Sequence, residues 1–307
     1  MNPEIVVIGG VNIDIGGRAF GPLKMKDSNP GKVTVSLGGV GRNIAHNLRL
    51  LGTEVCLLTA LGEDLYARRV EESCGHLGID ISHSLTVPGG ATSTYVYLDG
   101  PDGDMALALS DMEICDRITP AYLEQHREML SRARLIVMDT NIPPESLAYV
   151  LENIDVPVFV DPVSTTKAEK LRPMLGRIHT LKPNRLEAEL LSGIRITDPA
   201  SLFQAARALL DTGMNQVAVS LGAEGVLAAD AHAIGIIPGC PAVVRNATGA
   251  GDAFTAALAW AWLEEKSFTD ACCIAAAAAA MTVESMEAVN TELSAEAVLR
   301  RAAALNS

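Results

Sequence analysis

Apolar runs of strand length alternate along this chain with stretches whose apolar residues recur every three or four positions, the pattern of βαβ units around a largely parallel sheet. Glu4 to Gly9 reads as a buried first strand. After Gly38-Gly39 the set Ile44, Ala45, Leu48 and Leu51 marks a first helix, and Gly52 stands where a C-terminal glycine ends one. Glu54 to Leu61 reads as a strand, Asp64 caps a second helix that ends near Gly75 to Gly78, and further strands fit Leu135 to Asp139, Val158 to Asp161, Ile178 to Leu181 and Gln216 to Leu221. With 307 residues, 49% of them hydrophobic, the chain can build one large α/β domain with an inserted subdomain, or two ordinary domains.

Two segments break the rhythm. Residues between Asp14 and Leu37 are rich in Gly, Pro, Lys and Asp, and those between Thr92 and Leu109 alternate Tyr95, Tyr97, Met105, Leu107 and Leu109 around a turn at Asp99-Gly100-Pro101-Asp102-Gly103. Both look like strands of a small separate sheet. The expected organisation is a main α/β unit of residues 1–13, 38–90 and 112–307, with 14–37 and 91–111 as a discontinuous β lid over the sheet end where α/β proteins bind ligands. A lid with open edges also makes a homodimer through it an expected partner arrangement.

Composition removes several functions. The formal charge of −13 argues against tracking a nucleic acid backbone but permits a small nucleoside or nucleotide in a pocket. Cys56, Cys74, Cys115, Cys240, Cys272 and Cys273 show neither C-x-x-C nor zinc-like spacing, so reduced core thiols are expected. Met1 runs into Ile5 to Ile8 with no basic region or cleavage pattern, and the longest bland apolar stretch, Ala271 to Val283, suits a packed helix and is too short for a membrane span. A cytoplasmic protein without membrane contact is the expectation.

The strongest chemical signal is Asn246-Ala-Thr-Gly-Ala-Gly-Asp252, followed at once by the helical pattern Ala253 to Glu264. Glycines at 249 and 251 permit a tight turn with outward N–H groups, and a helix N-terminus adds partial positive charge, so the turn can cradle phosphate oxygens. Asp252, held ionised by the helix field, could take the proton of an attacking hydroxyl. A capped helix behind a glycine loop is the bland alternative. Val35-Ser-Leu-Gly-Gly-Val-Gly-Arg-Asn43 offers Gly38, Gly39 and Asn43 to a hydroxylated ligand, or else close packing alone. Gly9-Gly10 is not G-x-G-x-x-G and no helix follows, so a dinucleotide fold is excluded; Asn12 and Asp14, just past a strand end, suit sugar hydroxyls or a turn. In Lys182-Pro-Asn184-Arg-Leu-Glu187 the oxygens of Asn184 and Glu187 share one helix face and could serve Mg²⁺ directly or through water, unless they form a cap with a solvated Glu. Ser220-Leu-Gly-Ala-Glu-Gly225 is a hairpin turn, or a wall for nucleotide phosphates.

In this order and at these separations, Gly38-Gly39-x-x-x-Asn43, Asn184-x-x-Glu187, Ser220-x-Gly222-x-x-Gly225 and Thr248-Gly-Ala-Gly-Asp252 resemble the ribokinase-like, or PfkB, family of carbohydrate and nucleoside kinases over nearly the whole chain. The resemblance implies a three-layer α/β/α sandwich with a mostly parallel central sheet and a small β-sheet lid, ATP and Mg²⁺ as cofactors, and a sugar or nucleoside acceptor. By that similarity Asp252 is the base, and Gly249, Ala250 and Gly251 form the anion hole. Asn12, Asp14, Gly38, Gly39 and Asn43 would hold the acceptor, and Asn184 with Glu187 would organise metal and phosphate. Ser220, Gly222, Gly225 and Thr248 would line ATP, with Asn290 bordering adenine.

Many members carry Asp-Thr ahead of the core, near a monovalent cation; here Asn246 and Ala247 stand, which leaves potassium activation open. The Asn-Ala-Thr-Gly-Ala-Gly-Asp form, Val11-Asn-Ile-Asp-Ile-Gly-Gly17, Asp27-Ser-Asn-Pro-Gly31 and Asp161-Pro-Val-Ser-Thr-Thr-Lys167 resemble the pseudouridine kinase branch, which would make Lys167 a donor to a ribose or uracil oxygen. The alternatives are a same-fold kinase for ribose, another sugar or an ordinary nucleoside, and a non-catalytic sensor.

Overall fold

The computed structural model describes residues 3–100 and 105–305. Its strands in chain order are β1 (Ile5–Ile8), β2 (Asn12–Ala19), β3 (Gly31–Gly38), β4 (Val55–Leu58), β5 (Ala60–Leu61), β6 (Leu85–Thr86), β7 (Thr94–Asp99), β8 (Met105–Asp111), β9 (Leu135–Asp139), β10 (Val158–Asp161), β11 (Thr180–Leu181), β12 (Gln216–Ser220), β13 (Val226–Asp230) and β14 (Ile234–Ile237). Eight of them form the central sheet, in the order β14-β13-β12-β11-β10-β9-β1-β4. From β4 to β12 every pairing is parallel, and only the β12–β13 and β13–β14 pairings are antiparallel.

Successive residues of β1 feed opposite cores: Ile5 and Val7 pack with the helices Val40–Leu50, Ala250–Leu263 and Phe268–Val283, while Val6 and Ile8 pack with Pro144–Asn153, Arg185–Ser192 and Pro199–Leu210. A strand buried on both faces must be apolar throughout, which is why these strands read as unbroken runs. The result is a three-layer α/β/α sandwich. The alanine-rich stretch 271–283 lies within Phe268–Val283, and its small side chains let that helix press closely on Ala250–Leu263.

Local signals act where expected. Gly52 adopts φ +91° after the first helix, Asp64 accepts a hydrogen bond from Ala67 N at 2.8 Å, and Gly78 ends that second helix in the left-handed region. Two expected strands are shorter. The run Glu54 to Leu61 breaks at Thr59, so that β4 joins the central sheet while β5 pairs with β6, and the Ile178 to Leu181 run keeps only β11. All six cysteines are free, with only Cys240 partly exposed. Among the described residues no helix is long and apolar enough to cross a membrane.

The two arrhythmic segments form a separate four-stranded sheet, β3-β2-β7-β8. Asn12 and Asp14 lie in β2, in a strand and not in a turn. The expected turn at Asp99 to Gly103 falls largely at 101–104, outside the described residues. Pairing register places Asn12, Asp14, Thr34, Ser36, Tyr95 and Tyr97 on one face of this sheet. Ile13, Ile15, Val33, Val35, Leu98, Leu107 and Leu109 lie on the other.

Candidate active site

The helix Ala250–Leu263 begins behind Gly249, whose φ of +82° suits glycine, and a Cβ there would stand 1.8 Å from the carbonyl oxygen of Ala288. Asn246 shapes the approach: its Oδ1 accepts from Thr248 N at 2.9 Å and its Nδ2 donates to Met286 O at 3.0 Å. Thr248 is exposed at the mouth, and the first-turn N–H groups that a helix cannot satisfy internally follow it. Such a turn is suited to hold an anion.

Asp252 sits in that first turn, only 9% exposed, and accepts from Asn43 Nδ2 at 2.8 Å across 209 positions of sequence. Burial, reinforced by the nearby Asp161, pushes its carboxyl up to about 8, against the pull of Asn43 and Lys182. The expectation that the helix field keeps it ionised is corrected here: desolvation of a carboxylate outweighs half a unit of helix charge.

Beneath the turn lies a buried ion pair. Lys182 Nζ is 2.9 Å from Asp161 Oδ2, which also accepts from Thr255 Oγ1 at 2.9 Å, one turn beyond Asp252. The ammonium lies beside the anion turn, since a Cβ on Gly251 would stand 2.9 Å from Nζ. Asn184 and Glu187 make a full capping box: Asn184 Oδ1 accepts from Glu187 N at 2.9 Å and Glu187 Oε2 accepts from Asn184 N at 2.8 Å. The Glu is not solvated. It is 3% exposed, and burial pushes its carboxyl above the usual range. The buried carboxyl groups of Asp161, Glu187 and Asp252 all lie within electrostatic reach of the Lys182 ammonium.

Where the chain passes from β1 into β2, Asn12 Nδ2 donates to Asp14 Oδ1 at 2.5 Å, and Asp14 lies against Gly38, where a Cβ would come within 2.1 Å of its Oδ2. Gly39, at φ +98°, passes so close to Gly10 and Val11 that a Cβ would meet their backbone at 2.5 Å. Asp139, fully buried at the end of β9, accepts from Gly10 N and Asn141 N, each at 2.8 Å. Lys167 Nζ donates to Asn141 Oδ1, which brings that lysine to the same side.

The remaining residues fall into a second group. Ser220 N donates to Pro183 O at 2.9 Å, so Ser220 to Gly225 lies alongside Asn184. Gly222 and Gly225 both take positive φ, and a Cβ on Gly225 would stand 2.0 Å from Ile237 O. Asn290 donates to Met281 O at 2.7 Å and accepts from Glu292 N at 3.0 Å, so its amide ties the loop that carries it to the helix Phe268–Val283.

The chain matches the pfkB family carbohydrate kinase description over residues 2–295. It belongs to the pfkB family. Among its relatives is the pseudouridine kinase of Escherichia coli (strain K12), 42% identical over 94% of this chain and 93% of that protein. The guanosine-inosine kinase of Exiguobacterium acetylicum is 26% identical over 92% and 95%. The structure of Arabidopsis thaliana ribokinase complexed with ribose and ATP superposes with a TM-score of 0.88 at 26% identity, covering 98% of this chain and 99% of that one. The fold is therefore ribokinase-like, and this pfkB kinase is a phosphotransferase that acts on an alcohol group of a sugar or nucleoside.

Sequence reading missed Lys182, Asp161 and Asp139. A polar residue closing an apolar parallel strand is the available signal, because ligands of such sheets gather at the carboxyl ends of strands. Asp139 and Asp161 end β9 and β10, and Lys182 follows β11.

Proposed function

We propose that this kinase transfers the γ-phosphoryl group of ATP to the 5′-hydroxyl of pseudouridine, giving pseudouridine 5′-phosphate and ADP, with Asp252 as the catalytic base. The observation that carries the base assignment is the Asn43–Asp252 hydrogen bond at the start of a glycine-led helix, on a carboxyl that titrates near 8. A base with proton affinity close to the working pH combines adequate population with adequate driving force. The substrate assignment rests on the 42% identical pseudouridine kinase.

In this reading Asn12, Asp14, Gly38, Gly39 and Asn43 grip the ribose, and Lys167 donates to an oxygen of the uracil ring. The turn Gly249, Ala250 and Gly251, with Lys182 behind it, receives negative charge that develops on the transferred group. ATP runs past Thr248 toward Ser220, Gly222 and Gly225, with Asn184 at the phosphates and Asn290 bordering adenine. The Glu187 carboxyl, buried at the start of its helix beside Asn184, offers oxygens that suit a hard cation, and it would hold Mg²⁺ through water. Among the described residues no group of three or more His, Cys, Asp or Glu is arranged to hold a metal ion. Bound there, Mg²⁺ would neutralise phosphate charge. The small sheet acts as a lid whose polar face closes on the acceptor and excludes water that would otherwise take the phosphoryl group.

In this reading the hydrogen bond from the Asn246 amide to the Met286 carbonyl takes the place of a monovalent cation. The outer face of the lid carries Val33, Leu107 and Leu109, each more than half exposed, and is where a second copy packs in the proposed homodimer.

The deciding experiment offers pseudouridine, uridine, guanosine, ribose and fructose phosphates with ATP and quantifies phosphorylated product. Highest kcat/KM on the C-linked nucleoside is expected. Preference for guanosine would move the assignment toward the guanosine-inosine kinase relative, and preference for a free sugar would remove the nucleoside reading.

A further inference from the structure

Arg42 is 6% exposed, and among the described residues its guanidinium reaches no carboxylate as a direct partner. Nη1 donates to Leu37 O at 3.3 Å and to Asn43 Oδ1 at 3.4 Å, Nη2 donates to Ser73 Oγ at 3.1 Å, and Nε is buried without a partner. Its backbone N–H donates to Gly10 O at 3.3 Å. Gly10 lies on the crossing from β1 into β2, and Leu37 is one of the last paired residues of β3 before the chain enters the first helix. Asp14 is the carboxylate whose charge reaches the guanidinium through space. His46, one turn on, adds no second cation, because burial and the Arg42 charge push its ring down to about 4.

A buried cation is costly and asks for a reason. Its geometry supplies one. A guanidinium only donates, so the Asn43 amide beside it has a single acceptable orientation, with Oδ1 toward Arg42 and Nδ2 toward Asp252. When Asp252 carries its proton, its own hydroxyl could donate to an inverted amide; Arg42 is then the group that prevents the inversion.

We infer that Arg42 is a positioning residue that locks the Asn43 amide toward Asp252 and ties that orientation to the seating of the lid, so that acceptor binding and base alignment form one unit. The inference rests on the proposed placement of the acceptor against Asn43. In the proposed arrangement the nucleotide lies on the far side of Asp252 from Arg42, so loss of Arg42 acts on the acceptor and not on the nucleotide.

The test is a double-mutant cycle of Arg42→Met with Asn43→Ala, run on whichever acceptor the wild type prefers, together with direct titration of ATP binding. Arg42→Met alone is expected to lower kcat/KM for the acceptor by about 10- to 100-fold with ATP affinity within about twofold, and to add less than about threefold in the Asn43→Ala background. Hydrogen exchange in Asn12–Ala19 and Gly31–Gly38 should quicken in the Arg42→Met protein. Equal losses in both backgrounds, or parallel loss of ATP affinity, would overturn the inference. Should Arg42→Met not fold, Arg42→Lys is measured in the same cycle: a loss of acceptor kcat/KM that persists undiminished in the Asn43→Ala background refutes the coupling equally. Failure of pseudouridine as substrate, or turnover in Asp252→Asn, would sink the proposed function while leaving this cycle readable.

Discussion

Replacing Asp252 with Asn should destroy activity and at the same time stabilise the protein. In the fold the carboxyl titrates near 8, whereas its ordinary value is 3.8. Between those values the unfolded chain has released the proton and the folded chain has kept it, so the unfolded state binds fewer protons and stability falls as pH rises from about 4 to about 8. At about 1.36 kcal/mol per pH unit, the buried acid disfavours the native state by about 4 kcal/mol at pH 7, an upper bound that local relaxation reduces to about 2. An asparagine keeps the size and can still accept from Asn43 Nδ2, but has no proton to lose. Chemical denaturation of both proteins from pH 5 to pH 8.5 should therefore show a gap that opens with pH and flattens above about 8. Turnover should fall by about 10²- to 10⁴-fold with substrate binding retained, as for removal of a general base. In the wild type, kcat/KM should rise with pH and level off above about 8, since the base acts deprotonated. Parallel stability curves for the two proteins, with no gap at pH 8, would refute the argument that burial sets the proton affinity of this group.

Two further outcomes are expected. Exchange of potassium for tetramethylammonium should leave the wild-type rate within about twofold, whereas Asn246→Asp, which sets a carboxylate against the Met286 carbonyl in place of the 3.0 Å amide contact, should become potassium-stimulated; equal rates in both salts for both proteins would remove the substitution argument. Light scattering should find the wild type dimeric and Leu109→Lys, on the outer lid face where Leu109 is 68% exposed, monomeric; a monomeric wild type at micromolar concentration would end the dimer proposal.

Much of the architecture is written locally. The unbroken apolar runs specify strands buried on both faces, and Asp64, Gly52 and Gly78 mark helix ends through hydrogen bonds and backbone angles that involve only near neighbours. Gly39 and Gly249 are also legible, because few other residues tolerate the positive φ that both adopt. What sequence separation hides is which of these meet. Asn43 and Asp252 lie 209 positions apart, and the Lys182–Asp161 pair joins the ends of two strands that only the sheet order makes adjacent. Arg42 carries no signal at all beyond its place in a glycine-rich run. The local reading of Asp252 failed for the same reason: a helix terminus acts within one turn and can be seen in sequence, but desolvation depends on everything packed around the carboxyl. The order of residues thus determined the elements, their caps and the turn that can hold an anion, since those are short-range matters. Tertiary structure alone decided the proton affinity of the acid and the partners that aim it, because burial and charge act through space between segments that the chain keeps far apart.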